Sequence, residues 1–170
     1  MSVISQNMID ALGKQYRHET LNSLRYYQRA TYAEMLGLSG IAGFFKSQGD
    51  GERTHADKVY KYVNDRNVMV SMGGLSFMEP DFTMGHDVVN LFETAMQVEN
   101  DTTALLEGIL SLAYDERDYL TVQWLVDSEG LLKEQVEEEN IIRSILDHIG
   151  QMRTSPSLIH DLDTMLGSKA

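Results

Sequence analysis

Apolar residues recur every three to four positions through four long stretches of this chain, the period of an α-helix with one buried face. The first stretch, about residues 5–37, places Leu12, Tyr16, Glu19, Ser23, Tyr26 and Ala30 on one face. The second, about 39–67, aligns Ile41, Phe45, Gln48, Glu52, His55, Val59 and Tyr62, with Ser39 as its expected cap. Gly49 and Gly51 interrupt its middle and predict a close neighbour or a distortion. The third, about 84–114 after a Thr83 cap, carries Val88, Phe92, Ala95, Glu99, Thr102, Leu106 and Ile109. The fourth, about 119–149, shows Leu131, Gln135, Glu138, Ile142, Ile145 and Ile149 along its second half.

The connections complete the architecture. A short turn joins the first two helices, and residues 115–118 join the last two. Between them, residues 68–83 form a long link that includes Gly73, Gly74 and Pro80 among several apolar side chains. A link of that length runs along a bundle and joins helices that need not be antiparallel. After Gly150, the run Ser155-Pro156-Ser157 predicts a short fifth helix over about 156–166, capped by Ser155, with Pro156 at its first position. Strand patterns and solenoid repeats are lacking. The expected fold is an all-α four-helix bundle with a long crossover between helices two and three. Residues 1–170 are read as one domain, with the bundle over about 5–149.

Composition narrows the functional classes. The 170 residues include no cysteine, which excludes disulfides, thiolate metal sites and cysteine nucleophiles. The formal net charge of -12 repels nucleic acid and acidic membranes and attracts cations. The chain shows neither a membrane-spanning run nor a signal peptide, and a cytoplasmic location is expected.

The informative anomaly lies inside the stripes. Each contains a carboxylate near its middle: Glu19, Glu52, Glu99 and Glu138. An unpaired buried carboxylate is strongly unfavourable, and four at one level repel one another. Two metal ions resolve both problems. His55 follows Glu52 by three residues, so both side chains reach one ion from the same helix face. An oxygen-rich set with a single imidazole suits iron or manganese better than copper. Each residue also has a plainer reading, as a solvated charge or, for Tyr26, as an ordinary core tyrosine. The run Glu137-Glu138-Glu139 places at least one of its members in solvent.

With these residues in view, the chain resembles the non-haem ferritins over nearly its whole length. The resemblance rests on HETLNSLRYY at 18–27, GERTHADKV at 51–59, QVENDTT at 97–103 and KEQVEEENI at 133–141, with Gln123-Trp124 similar to bacterial members. It implies a ferroxidase centre in which Glu19, Glu52 and His55 hold a first iron. Glu52 bridges to a second iron bound by Glu99, with Gln135 beside it. Tyr26 lies close by as a hydrogen-bond partner and one-electron donor. Glu134, Glu137 and Glu138 match the ligands of a third iron site. Where the family supplies a further Glu to that site this chain has Gly51, so the third site is expected to be weaker. The stretch between 118 and 134 runs about three residues longer than in bacterial relatives, which predicts a bulge or looser turn near 128–130.

The resemblance also implies oxidation of Fe(II) by dioxygen or hydrogen peroxide, storage as ferric mineral, and a shell of twenty-four subunits. Haem is not expected, because Arg53 follows Glu52 where haem-binding cousins carry methionine. The outward Tyr27, Tyr32, Phe44, Tyr60 and Trp124, together with the leucines of the fifth helix, point to subunit contacts. Two other readings remain open: a bundle that buffers a divalent metal without redox turnover, and a di-iron oxygenase acting on an organic substrate.

Overall fold

The structure, a computed structural model, describes residues 4–75, 88–152, 155 and 157–168. Within them the chain forms α1 (Gln6–Met35), α2 (Ser39–Asp65), α3 (Val88–Asp115), α4 (Tyr119–Val126), α5 (Leu131–Met152) and α6 (Leu158–Gly167). The long helices α1 and α2 form one closely packed pair, and α3 packs on α4 and α5 to form the other. The two pairs meet through α1 and α3, and α6 lies against α2. Thr83, Pro80 and the first residues expected of the third helix fall outside the described residues. None of the described helices is long and apolar enough to cross a membrane.

Local chemistry sets the helix ends. Ser5 caps α1, its Oγ accepting from Met8 N at 3.0 Å. At the other end Leu38 N returns to Ala33 O at 3.0 Å across Gly37, whose φ is +75°. Ser39 does not cap α2, because it is already the first helical residue and Leu38 occupies the cap position with no side-chain bond. The donor is satisfied from a distance instead: Ile41 N donates to Asp163 Oδ1 of α6 at 2.9 Å. Gly40 makes this possible, since a Cβ there would fall 1.9 Å from Asp163 O. Gly49 similarly faces Tyr27 and the Ser23 carbonyl, the close neighbour that the glycine predicted.

The expected fourth helix is two helices. Asp118 caps α4 through Thr121 N, and the rod ends at Asp127, which has extended backbone (φ -59°, ψ 164°). A turn closed by Gly130 N to Asp127 O at 2.8 Å then leads into α5. Gly130 sits directly against the Leu125 carbonyl, with no room for a side chain. The extra residues near 128–130 are therefore taken up in a full break of the helix. The fifth-helix expectation shifts as well. It begins at Leu158, after Ser157, and Ser155 does not cap it: its Oγ accepts from Ser157 N at 3.3 Å. Pro156 lies outside the described residues.

The apolar core divides in two. One cluster joins Ile41, Phe45, Phe92, Ile142 and Ile145 to the three buried leucines of α6. Phe45 and Phe92 pack with tilted rings in its centre, their centroids 4.9 Å apart. The second cluster, at the opposite end, joins Met8, Leu12, Val59, Leu106, Leu125 and Leu131. Several residues expected on outer faces belong to these cores. Tyr32 is buried, Phe44 packs on Phe45 and Phe92, and Trp124 stacks on Tyr62 at 4.1 Å. Leu158, Leu162 and Leu166 are held by their own bundle, because the contact of α6 with α2 already buries them. Among the expected outward aromatics, Tyr60 stays exposed, and Leu24, Met35, Tyr119, Leu120 and Val136 also face outward. Polar residues fill the layer between the two cores.

Candidate metal centre

Each long helix contributes to this layer at the height where its apolar stripe is interrupted. From α1 come Gln15, Glu19, Asn22 and Tyr26; from α2, Glu52 and His55; from α3, Glu99 and Thr102; from α5, Gln135 and Glu138. Glu19, Glu52, His55, Glu99 and Gln135 are all buried, and Glu138 nearly so. One ligand atom each of Glu19, Glu52 and His55 lies within 4.8 Å of the others. His55 Nδ1 stands 3.4 Å from Glu52 Oε2, as the three-residue helical spacing requires.

The second half of the site is built around Glu99. Tyr26 Oη donates to Glu99 Oε1, and Gln135 Nε2 donates to Glu99 Oε2 at 2.9 Å and to the Glu99 carbonyl at 3.1 Å. These bonds hold the carboxylate from α1 and α5 at once. Glu19 is fixed by Gln15, which donates to its Oε1 at 2.5 Å from one turn earlier in α1. Asn22 and His18 both meet Thr102 Oγ1, at 3.1 and 2.9 Å, tying α1 to α3 beneath the carboxylates.

The charges are out of balance. Buried atoms without a hydrogen-bond partner include Glu19 Oε2, Glu52 Oε1 and Glu138 Oε2. Burial pushes the Glu19 carboxyl well above its usual range, reinforced by Glu52. Burial and the charge of Glu99 do the same to Glu52. Glu99 is raised by burial, although its bonds from Tyr26 and Gln135 oppose the shift. Glu138 is pushed up to about 8, chiefly by burial. Burial and Glu99 also keep the Tyr26 phenol protonated. Such raised carboxyls mark a place where positive charge is missing.

The structure thus brings Glu19, Tyr26, Glu52, His55, Glu99, Gln135 and Glu138 together. Glu134 stands at the edge, 3.2 Å from His55 Nε2 through its Oε2. Glu137 does not join them: it is exposed, with its carboxylate 3.9 Å from Lys133 Nζ. Gly51 adds no side chain, and a Cβ there would lie 3.8 Å from Glu138 Oε1. Sequence reading missed Gln15 and Lys58. The signal for Gln15 was its position four residues before Glu19; Lys58 followed His55 by three, but its partners come from elsewhere in the chain.

Fold and site together define a class: all-α bundles with a carboxylate–imidazole cluster enclosed between two apolar cores. A family model for the ferritin-like domain matches residues 9–152, and the chain belongs to that family. The chain is similar to a bacterial non-heme ferritin of Staphylococcus aureus, 26% identical over 167 residues, covering 98% of this chain and 97% of the relative. A bacterial non-heme ferritin of Staphylococcus haemolyticus is 27% identical over 150 residues, covering 88% and 87%. Among solved structures, an open pore ferritin from the archaeon Archaeoglobus fulgidus superposes with a TM-score of 0.87 at 26% identity, covering 98% of both chains.

Proposed function

We propose that this chain, read over residues 1–170 as one ferritin-like domain, is the subunit of a cytoplasmic iron-storage shell that oxidises Fe(II) at the buried cluster. The observation that carries the reading is the set of buried carboxylate oxygens on Glu19, Glu52 and Glu138 that lack any donor. Two divalent cations supply the charge and the bonds these atoms want.

Fe(II) is the substrate. Glu19, Glu52 and His55 take one ion, while Glu99 and Glu138 take the other. Glu52 serves both, since it faces His55 on one side and feels the charge of Glu99 on the other. Gln135 and Tyr26 keep the Glu99 carboxylate in place. The carboxyls that hold protons in the empty centre release them as metal enters. Anionic oxygen donors favour Fe(III) over Fe(II), because the attraction grows with ion charge. Each of two Fe(II) gives up one electron, and dioxygen takes the two electrons with two protons to become hydrogen peroxide. Peroxide itself serves as an alternative two-electron oxidant. The ferric product hydrolyses and is stored as mineral. A family shell of twenty-four subunits, expected from the resemblance, supplies the cavity.

Aerobic addition of Fe(II) tests the reading through oxygen uptake and growth of ferric ultraviolet absorbance. Rapid uptake is expected in the parent protein, with loss on Glu52→Gln. Tight metal binding without oxygen uptake would favour the metal-buffering alternative.

A further inference from the structure

On the α5 side of His55 the structure contains an arrangement that the proposed ligand set does not use. Lys58, one turn after His55 on α2, places its Nζ 2.6 Å from both Glu134 oxygens and 3.1 Å from the Glu129 carbonyl. An ammonium has three protons, and here each has an acceptor. The Glu129 carbonyl is available because the chain breaks between α4 and α5 at that point. Glu134 is filled in turn: Oε1 accepts from Lys58, and Oε2 lies within reach of Lys58 and 3.2 Å from His55 Nε2. The other carboxylate near Nε2, Glu138 Oε1, stands farther off at 3.6 Å.

We propose that Glu134, clamped by Lys58, is a positioning residue that accepts a hydrogen bond from His55 Nε2–H, keeping the ring proton on Nε2 and presenting a bare Nδ1 to the Glu19–Glu52 side. The inference rests on the reading that Glu19, Glu52 and His55 hold a metal ion. It replaces the role of Glu134 as an iron ligand, because a metal there must displace two donors already in place. The nearer carboxylate oxygen stands at Nε2: 3.2 Å to Glu134, against 3.4 Å from Nδ1 to Glu52. With the proton on Nε2, the Nδ1 lone pair faces Glu52 Oε2 and takes either the Glu52 proton in the empty centre or the cation that replaces it. A carboxylate behind the imidazole also fixes its ring plane, and loss of such a partner typically weakens metal binding by roughly 10–100-fold.

Co(II), which is not oxidised in the absence of air, serves as the probe for the assembled protein. Its visible absorption follows His55 ligation, and anomalous scattering from soaked crystals locates the ions. The parent protein should bind about two Co(II) per subunit, with no ion bonded to Glu134. Glu134→Ala should keep that number but weaken the His55-bound ion by roughly 10–100-fold. Glu134→Gln, which keeps an acceptor oxygen, should recover part of the loss. Lys58→Met should weaken the same ion, and it carries the test alone if Glu134→Ala fails to assemble. Loss of one whole Co(II) equivalent in Glu134→Ala, with the others unchanged, would overturn the proposal, as would unchanged affinity in Glu134→Ala and Lys58→Met. A parent protein that binds no Co(II) at Glu19, Glu52 and His55 would instead remove the underlying reading.

Discussion

Replacing Glu138 by glutamine should act in opposite directions on the empty and the metal-loaded protein. Burial pushes this carboxyl up to about 8, opposed by His55 and reinforced by Glu99, Glu19 and Glu134, whereas in the unfolded chain it ionises near 4.5. The folded form therefore keeps a proton that the unfolded form has lost. Stability contributed at low pH is lost as pH rises from about 4.5 to about 8. Over that span the loss amounts to about 5 kcal/mol, at about 1.4 kcal/mol for each pH unit. The side chain keeps 15% of its surface exposed, so solvent relaxes part of this and a change of a few kcal/mol is expected. Glutamine has nearly the same shape and cannot ionise. Metal-free Glu138→Gln should be more stable than the parent near pH 8 and equal to it near pH 4. With metal bound the order should reverse, because the substitution removes a negatively charged donor. Urea midpoints of chelator-treated and metal-loaded protein, measured from pH 4 to 8.5, report both effects. Parallel curves for parent and variant in the metal-free state would refute the argument, since burial would then not be restraining the ionisation of Glu138.

Four further outcomes are expected. Glu52→Gln should slow Fe(II) oxidation at least about tenfold, roughly 1.4 kcal/mol of barrier, measured by initial oxygen uptake; an unchanged rate would remove Glu52 from the centre. Phe92→Ala, which empties a site between Phe44 and Phe45, should lower stability by about 3–5 kcal/mol while leaving helicity intact by circular dichroism. Gly40→Ala should lift α6 from α2, because its methyl would meet the Asp163 carbonyl; faster hydrogen exchange across Leu158–Gly167 is the readout, and unchanged protection would contradict the contact. Light scattering at micromolar protein should give a particle of about 460 kDa, twenty-four copies of the 19.2 kDa chain, and a stable 19 kDa species would end the shell proposal.

The sequence alone determined the helical class and the heart of the site. Four stripes of helical period marked which faces turn inward, and a carboxylate at mid-stripe in each pointed to a buried charged layer that the fold contains. Every stripe residue named from the sequence is buried or partly buried, and Glu52 and His55 meet as their spacing demands. These features depend on contacts within one helix or on burial of one face, and both are written in local periodicity. Tertiary structure decided the rest. Asp163 caps α2 from 122 residues away, and Lys58 clamps Glu134 from 76 residues away. Neither pairing leaves a mark in the local pattern. The break at Asp127–Gly130 reads in sequence as little more than a serine and a glycine in a polar stretch, yet it aims the Glu129 carbonyl at Lys58. Tyr32, Phe44 and Trp124 looked outward by period but turn into the cores, because large flexible rings fill whatever gap neighbouring helices leave. Periodicity gives the direction of a side chain from its own helix axis. Where the next helix stands, and which long side chain reaches across to it, is set by packing of the whole bundle.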